Sequence, residues 1–227
     1  EFDRDTRPFM DEGIAERTVE FIHRNAASDT PFYAYVPFTN VHPPMIPHPD
    51  FADISASPLP ANIAELDART GQILDALADA GVADNTIVVW ASDNAAAQLQ
   101  GSVAGSNGPW RGAFGGGWEG SIRTPAMVRW PGQIPAGVVS NEIIATYDWM
   151  PTLVNLAGLG ERMPQDRPID GVDMSSFMRG ETDVSGRDTF LFMGTDANIV
   201  SAKWKTMKVH FRIADSDSWT AALVKPQ

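Results

Sequence analysis

Two short apolar runs, residues 32–36 (FYAYV) and 86–91 (TIVVWA), stand on either side of the clearest helical pattern in the chain. Over residues 61–80, Ile63, Leu66, Thr70, Ile73, Leu74 and Leu77 recur at helical spacing, and Gly81 supplies the stop. Strand, helix, strand in this order predicts a crossover unit, and such units are parallel and right-handed almost without exception. In an open parallel sheet, ligands sit just past the carboxyl ends of the strands. His42 follows the first run on a proline-stiffened stretch, PFTNVHPP, and Asp93 and Asn94 follow the second. The crossover therefore predicts all three on one sheet edge. Taken singly, an Asp-Asn pair after a strand is an ordinary turn, and a loop histidine is commonly surface. The same pair also offers oxygen ligands of the kind hard divalent cations prefer. Both readings stand at this point.

Around that unit, residues 11–27 read as a helix with Ile14, Thr18, Phe21 and Ile22 on one face and His23 beside it. His48, between two prolines, reads as more exposed than His42. Residues 101–120 are dense in glycine but match neither a phosphate-cradling Gly-Lys-Ser/Thr loop nor a dinucleotide fingerprint. They read as a flexible loop, or as backbone able to approach a ligand. Short strands are expected at 125–130 and 142–146. Asp148 is expected to cap a helix over 149–157 that buries Met150, Leu153, Val154 and Ala157. A short helix is expected at 174–179, and an antiparallel sheet within 190–213. The fold class expected is α/β: a mostly parallel central sheet flanked by helices, over residues 1–159. A linker and the start of a small α+β unit, with its antiparallel sheet, follow over 160–227.

Composition excludes several functions. The net charge is −12, from 17 basic and 29 acidic residues, and no Lys/Arg cluster appears, so no nucleic-acid partner is expected. With no cysteine, disulfides, thiolate metal sites and a cysteine nucleophile are all absent, and with 4 histidines no His-rich zinc site is expected. No apolar run approaches membrane-span length, and the charged opening EFDRDTRPFMDEG is not a secretory signal.

In that order along the chain, PFYAYVPFTNVHPP, DNTIVVWASDN, GPWRGAFGGGWEGSIRTPAMVRWPG, YDWMPTLVNLAG and RPIDGVDMSSFMRG resemble successive segments of the sulfatase family, within the alkaline-phosphatase-like superfamily. The resemblance implies hydrolysis of aryl or carbohydrate sulfate esters. The family's nucleophile is a formylglycine made from the first residue of a Cys/Ser-x-Pro-x-Arg motif, with a calcium (or magnesium) ion neutralising sulfate oxygens. It further implies that Asp93 and Asn94 bind that metal and that His42 contacts the sulfate or the leaving oxygen. Glu119 and Arg123 also match family positions and read as braces of the loop.

Three departures qualify this expectation. The nucleophile motif is missing, and in the family it lies, with a pair of metal-binding aspartates, upstream of everything that matches here. The chain is thus expected to be the carboxy-terminal portion of a longer enzyme, inactive alone. Phe114 stands where the family often carries a sulfate-binding lysine, and Lys203, Lys205 and Lys208 read as solvated rather than as its replacement. Ala95 stands where a glycine usually follows the Asp-Asn pair. The alternatives are a phosphodiesterase or phosphonate-ester hydrolase of the same superfamily, or a non-catalytic fragment that binds metal or a partner and self-associates through exposed apolar surface.

Overall fold

The computed structural model describes residues 3–28, 30–97, 105–194 and 197–212. Contacts gather the chain into two compact units, one of Glu1–Ile87 with Ala97–Ser106, the other of Val88–Ala96 with Asn107–Gln227. This division runs through the Asp93 region rather than after residue 159.

The first unit is built on two helices, α1 (Met10–Ala26) and α2 (Pro58–Asp79). Asp11 and Glu12 lie in the first turn of α1 and His23 and Arg24 in its last, matching the sign of the helix dipole at each end. Pro58 opens α2, where a missing N–H costs nothing, and Gly81 ends it with a φ of +70°. Ala15 and Ile22 of α1 and Ala61, Ala76 and Leu77 of α2 are buried. The predicted stripe of α2 is only partly right: Ile63 is 51% exposed, while Asn62, Glu65 and Arg69 are buried. A polar network (below) draws that face inward.

Three expectations for the first unit need correction. Residues 32–36 form no β-ladder among the described residues, and Tyr33 and Tyr35 are 74% and 79% exposed. A strand is defined by its neighbour, and among the described residues the run has none to bond. Among the described residues the strands that pair do so antiparallel. His48 is 7% exposed, held against Phe9 and Phe51, whereas His42 is the exposed one.

In the second unit, β1 (Val88–Ala91) pairs antiparallel with β2 (Ala126–Arg129), Val88 opposite Arg129 and Ala91 opposite Ala126. A four-residue helix, α3 (Glu119–Ile122), precedes β2. Residues 142–146 form no strand. Their polar groups are met instead by Ser185, whose hydroxyl donates to the Ile143 carbonyl at 2.7 Å while its N–H donates to Glu142 at 3.1 Å.

Asp148 precedes α4 (Trp149–Leu156) as expected but makes no side-chain cap bond. It is fully buried and receives the Arg187 guanidinium (Nε at 2.7 Å) and the N–H groups of Ala145 and Val172, each at 2.8 Å. Met150 is 45% exposed and Ala157 is exposed, while Pro151 and Thr152 are buried, so the face of α4 that packs is not the one the apolar spacing predicts. A short helix, α5 (Ser175–Met178), follows. The expected carboxy-terminal antiparallel sheet is present: β3 (Thr189–Met193), β4 (Ile199–Trp204) and β5 (Met207–His210), in that order. No described helix is long and apolar enough to cross a membrane.

Candidate active site

His42 sits in a turn, its N–H donating to the Thr39 carbonyl at 3.0 Å. That turn is held from below by α1. The buried Asp11 carboxylate accepts the Thr39 N–H at 2.6 Å, the Thr39 hydroxyl at 2.8 Å and the Asn40 N–H at 2.8 Å. Buried Arg7 donates to the carbonyls of Thr39 and His42 and to the Asn40 side chain at 3.2–3.3 Å. On the α2 side, Glu65 accepts the Asn40 side-chain amide and the His48 N–H, each at 3.1 Å. Arg69 reaches Glu12 at 3.3 Å and lies 3.8 Å from Glu65. Each charged side chain in this seam has an opposite charge or hydrogen-bond partners beside it, which lowers the cost of burying it, although Glu65 Oε1 and Arg69 Nε make no hydrogen bond.

Nδ1 of His42 lies 2.6 Å from the Pro43 carbonyl oxygen. A carbonyl only accepts, so Nδ1 carries the proton. Nε2 of the exposed ring is then a lone-pair acceptor when neutral and a donor when the ring is charged. Such a nitrogen can hold or deliver a proton, or steady a developing oxyanion.

Asp93 and Asn94 form an exposed turn directly after β1. The Asp93 carboxylate accepts the Asn94 N–H at 2.9 Å, and the Ser92 hydroxyl donates to the Asn94 carbonyl at 3.0 Å. Ala95 behind them is 5% exposed, so its methyl packs inward. A carboxylate and an amide oxygen suit calcium or magnesium in chemistry, but these ions take roughly six to eight oxygens. Among the described residues no group of three or more His, Cys, Asp or Glu is arranged to hold a metal. The pair therefore fits a hard cation in kind and falls short of it in number.

The turn is tied to the glycine-rich loop by Asn107. Its side chain accepts the Ala96 N–H and donates to the Ala96 carbonyl, each at 2.8 Å, and also donates to the Gly112 carbonyl at 3.2 Å. Gly112 has a φ of +98° and lies against Trp118 and Ser121, and Gly120 packs on the carbonyls of Trp110, Arg111 and Gly112. A side chain at either position would collide. Residues 105–120 thus form a folded loop rather than the flexible one allowed by glycine content, while 101–104 lie outside the described residues.

Lys203 and Lys208 are not solvated as expected. They project from β4 and β5 onto Glu119, at 2.7 and 3.2 Å, and their side chains are 19% and 13% exposed. Lys205 does remain outside, 57% exposed, near Asp188. Burial pushes the Lys208 ammonium down to about 8, Glu119 opposing and Lys203 adding to the effect. Burial alone would raise the Glu119 carboxyl, but the hydrogen bonds and charges of the two lysines hold it below its ordinary range. The brace expected at Glu119 is thus present, with Arg123 contributing at 3.7 Å. Phe114, 40% exposed, carries no charge into the loop.

Sequence reasoning missed Arg7, Asp11 and Glu65. The one available signal was that Glu65 and Arg69 stand four apart, the spacing of an ion pair along a helix.

The sulfatase family model matches residues 3–159, and the model of the N-sulphoglucosamine sulphohydrolase carboxy-terminal region matches residues 117–213. Among curated proteins, the chain is 35% identical over 187 residues to rat (Rattus norvegicus) arylsulfatase G, covering 78% of the chain and 35% of that protein. It is 34% identical over 197 residues to steryl-sulfatase of Mus musculus, covering 84% and 31%. The chain thus spans about a third of the length of the curated relatives it matches. Among solved structures, the PsFucS1 sulfatase from Pseudoalteromonas sp. superposes with a TM-score of 0.84 at 28% identity, over 90% of the chain and 41% of that protein. This likeness gives the chain the α/β fold of those enzymes, with the small antiparallel sheet at its carboxyl end, although the strands that pair here pair antiparallel.

Proposed function

Since the chain belongs to the sulfatase family, we propose that it is the carboxy-terminal portion of an enzyme that hydrolyses sulfate esters, aryl or carbohydrate. The observation that carries this is the exposed Asp93-Asn94 turn at the end of β1, inside the segment the family model matches. In this reading Asp93 and Asn94 supply two oxygen ligands of a calcium or magnesium ion, and residues outside this sequence supply the rest. The ion, when bound, offsets negative charge on the sulfate oxygens.

His42 acts on the ester through Nε2. The Pro43 carbonyl fixes the tautomer, and the Asp11–Arg7–Glu65 seam fixes the turn that carries the ring. With Nδ1 protonated, Nε2 can hold a proton for the leaving oxygen or donate a hydrogen bond to a sulfate oxygen. The nucleophile, a formylglycine, belongs to residues outside this sequence, which contains neither cysteine nor a Ser-x-Pro-x-Arg stretch. Sulfatase relatives favour sulfate esters over the phosphodiester and phosphonate alternatives.

The 227-residue chain by itself is expected to show no turnover of 4-nitrophenyl sulfate above background in calcium-containing buffer. Turnover that disappears in His42→Ala would overturn the assignment of the nucleophile to residues outside this sequence.

A further inference from the structure

The Asp93-Asn94 turn is suspended between two fixed points. At one end the Ser92 N–H donates to the Pro125 carbonyl at 3.4 Å, which carries the β1–β2 ladder one step past Ala91 and Ala126. At the other end stands Ala96, with both of its backbone groups engaged by the Asn107 side chain. Only Asp93, Asn94 and Ala95 lie between these points, so the two anchors set where the ligand pair sits.

At Ala96 the Asn107 side chain does what a neighbouring strand would do. Its Oδ1 accepts the Ala96 N–H and its Nδ2 donates to the Ala96 carbonyl, each at 2.8 Å. One amide thus closes the pair of bonds that two facing strand residues exchange. The second Nδ2 hydrogen reaches the Gly112 carbonyl at 3.2 Å. Among side chains of this length, an amide alone offers an acceptor and two donors; an ionised Asp has no donor and Ser has one.

Asn107 is itself fixed by the main chain around it. Its carbonyl accepts the Trp110 N–H at 2.9 Å across Gly108 and Pro109. The Phe114 N–H adds a bond to the Ala96 carbonyl at 3.2 Å, and Ala95 and Ala113 are both buried. All of these groups belong to the second unit.

We propose that Asn107 is a positioning residue for the metal-binding turn: its side-chain amide places Asp93 and Asn94 and thereby sets their affinity for a hard divalent cation. This rests on the reading of Asp93 and Asn94 as metal ligands. Asn107 acts through the backbone of Ala96 rather than as a ligand. By ordering the turn in advance, it removes freedom that the turn would otherwise lose when an ion binds.

The test is a calcium chloride titration of the whole isotope-labelled chain, followed by NMR at the Asn94 and Ala96 amides, with sodium chloride at equal ionic strength as the blank. Wild type is compared with Asn107→Ala and with Asn107→Leu, which keeps side-chain bulk without the amide. Ser201→Ala is the control: it removes the bond from β4 to the Gly117 carbonyl at the far side of the same loop. Both Asn107 variants should weaken calcium binding roughly tenfold, the scale of ordering about one residue of backbone. The Ala96 amide should also exchange faster with solvent in both, while Ser201→Ala keeps wild-type affinity. If one Asn107 variant fails to fold, the other decides. Wild-type affinity in a folded Asn107 variant overturns the proposal and leaves the metal reading standing. Equal weakening in Ser201→Ala also overturns it, since any loosening of the loop would then suffice. A wild type whose Asn94 amide does not respond to calcium overturns the metal reading itself, and the proposal with it.

Discussion

At the scale of single residues, environment decides what each titratable group does, and neighbours in sequence give little warning of it. His42 and His48 both sit among prolines, yet one ring is exposed and the other is packed between Phe9 and Phe51. Proline marks both as loop residues and says nothing about which is covered. The lysines near the carboxyl end were hidden in the same way, because their partner, Glu119, is 84 and 89 residues away.

Lys208 yields a prediction with a definite sign. Its folded pKa is about 8 against an ordinary 10.5, so between those values the unfolded chain binds more protons. Stability from this group is then fully present above 10.5 and lost as pH falls through 8. Denaturant midpoints measured across that range should rise more steeply for wild type than for Lys208→Met. Glu119 stays ionised throughout and does not contribute to the difference. Parallel pH profiles of the two proteins would contradict it.

At the scale of elements, helices were legible because their signals are local: apolar spacing and Gly81 place α2 as the sequence indicates, although the helix begins at Pro58, three residues before the expected start. The face of α2 that packs was not legible, since Glu65 and Arg69 are buried through partners contributed by α1 and the loop at 39–48. Strand pairing failed for the same reason on a larger scale. Residues 32–36 have the right composition for a strand, and composition cannot provide the neighbour. The carboxy-terminal sheet succeeded because its strands follow one another and pair through short turns.

Asp148 shows how a correct position can conceal the role. Good capping chemistry at the start of α4 is used to bind Arg187 and two backbone N–H groups across the second unit. Asp148→Ala would strand a guanidinium that is 8% exposed and both N–H groups. Removing one partner of a buried pair costs about 3–5 kcal/mol. Urea unfolding should therefore show a loss of that size, far above the few tenths of a kcal/mol typical of surface sites. A loss below about 1 kcal/mol would mean the pair is not buried as described.

At the scale of the whole molecule, the chain has the family's fold and about a third of its relatives' length, and much apolar surface is uncovered, including Tyr33, Tyr35 and Val139. The candidate site follows the same pattern. The order of motifs singled out the Asp93-Asn94 pair, and among the described residues no group of three or more His, Cys, Asp or Glu is arranged to complete a metal site. The family resemblance supplied that reading; strand composition alone left an ordinary turn.

The most direct test of the account is calcium-dependent stability of wild type and Asp93→Ala. A ligand stabilises only the state that binds it, by about 1.4 kcal/mol when it is roughly tenfold above its dissociation constant. Asp93 is exposed and, among the described residues, its carboxylate bonds locally, to the Asn94 N–H, so its removal should leave stability without calcium nearly unchanged. Millimolar calcium is expected to raise the thermal midpoint of wild type and not that of Asp93→Ala. Equal midpoints with and without calcium in wild type, or an equal rise in both proteins, would contradict the assignment of Asp93 as a metal ligand.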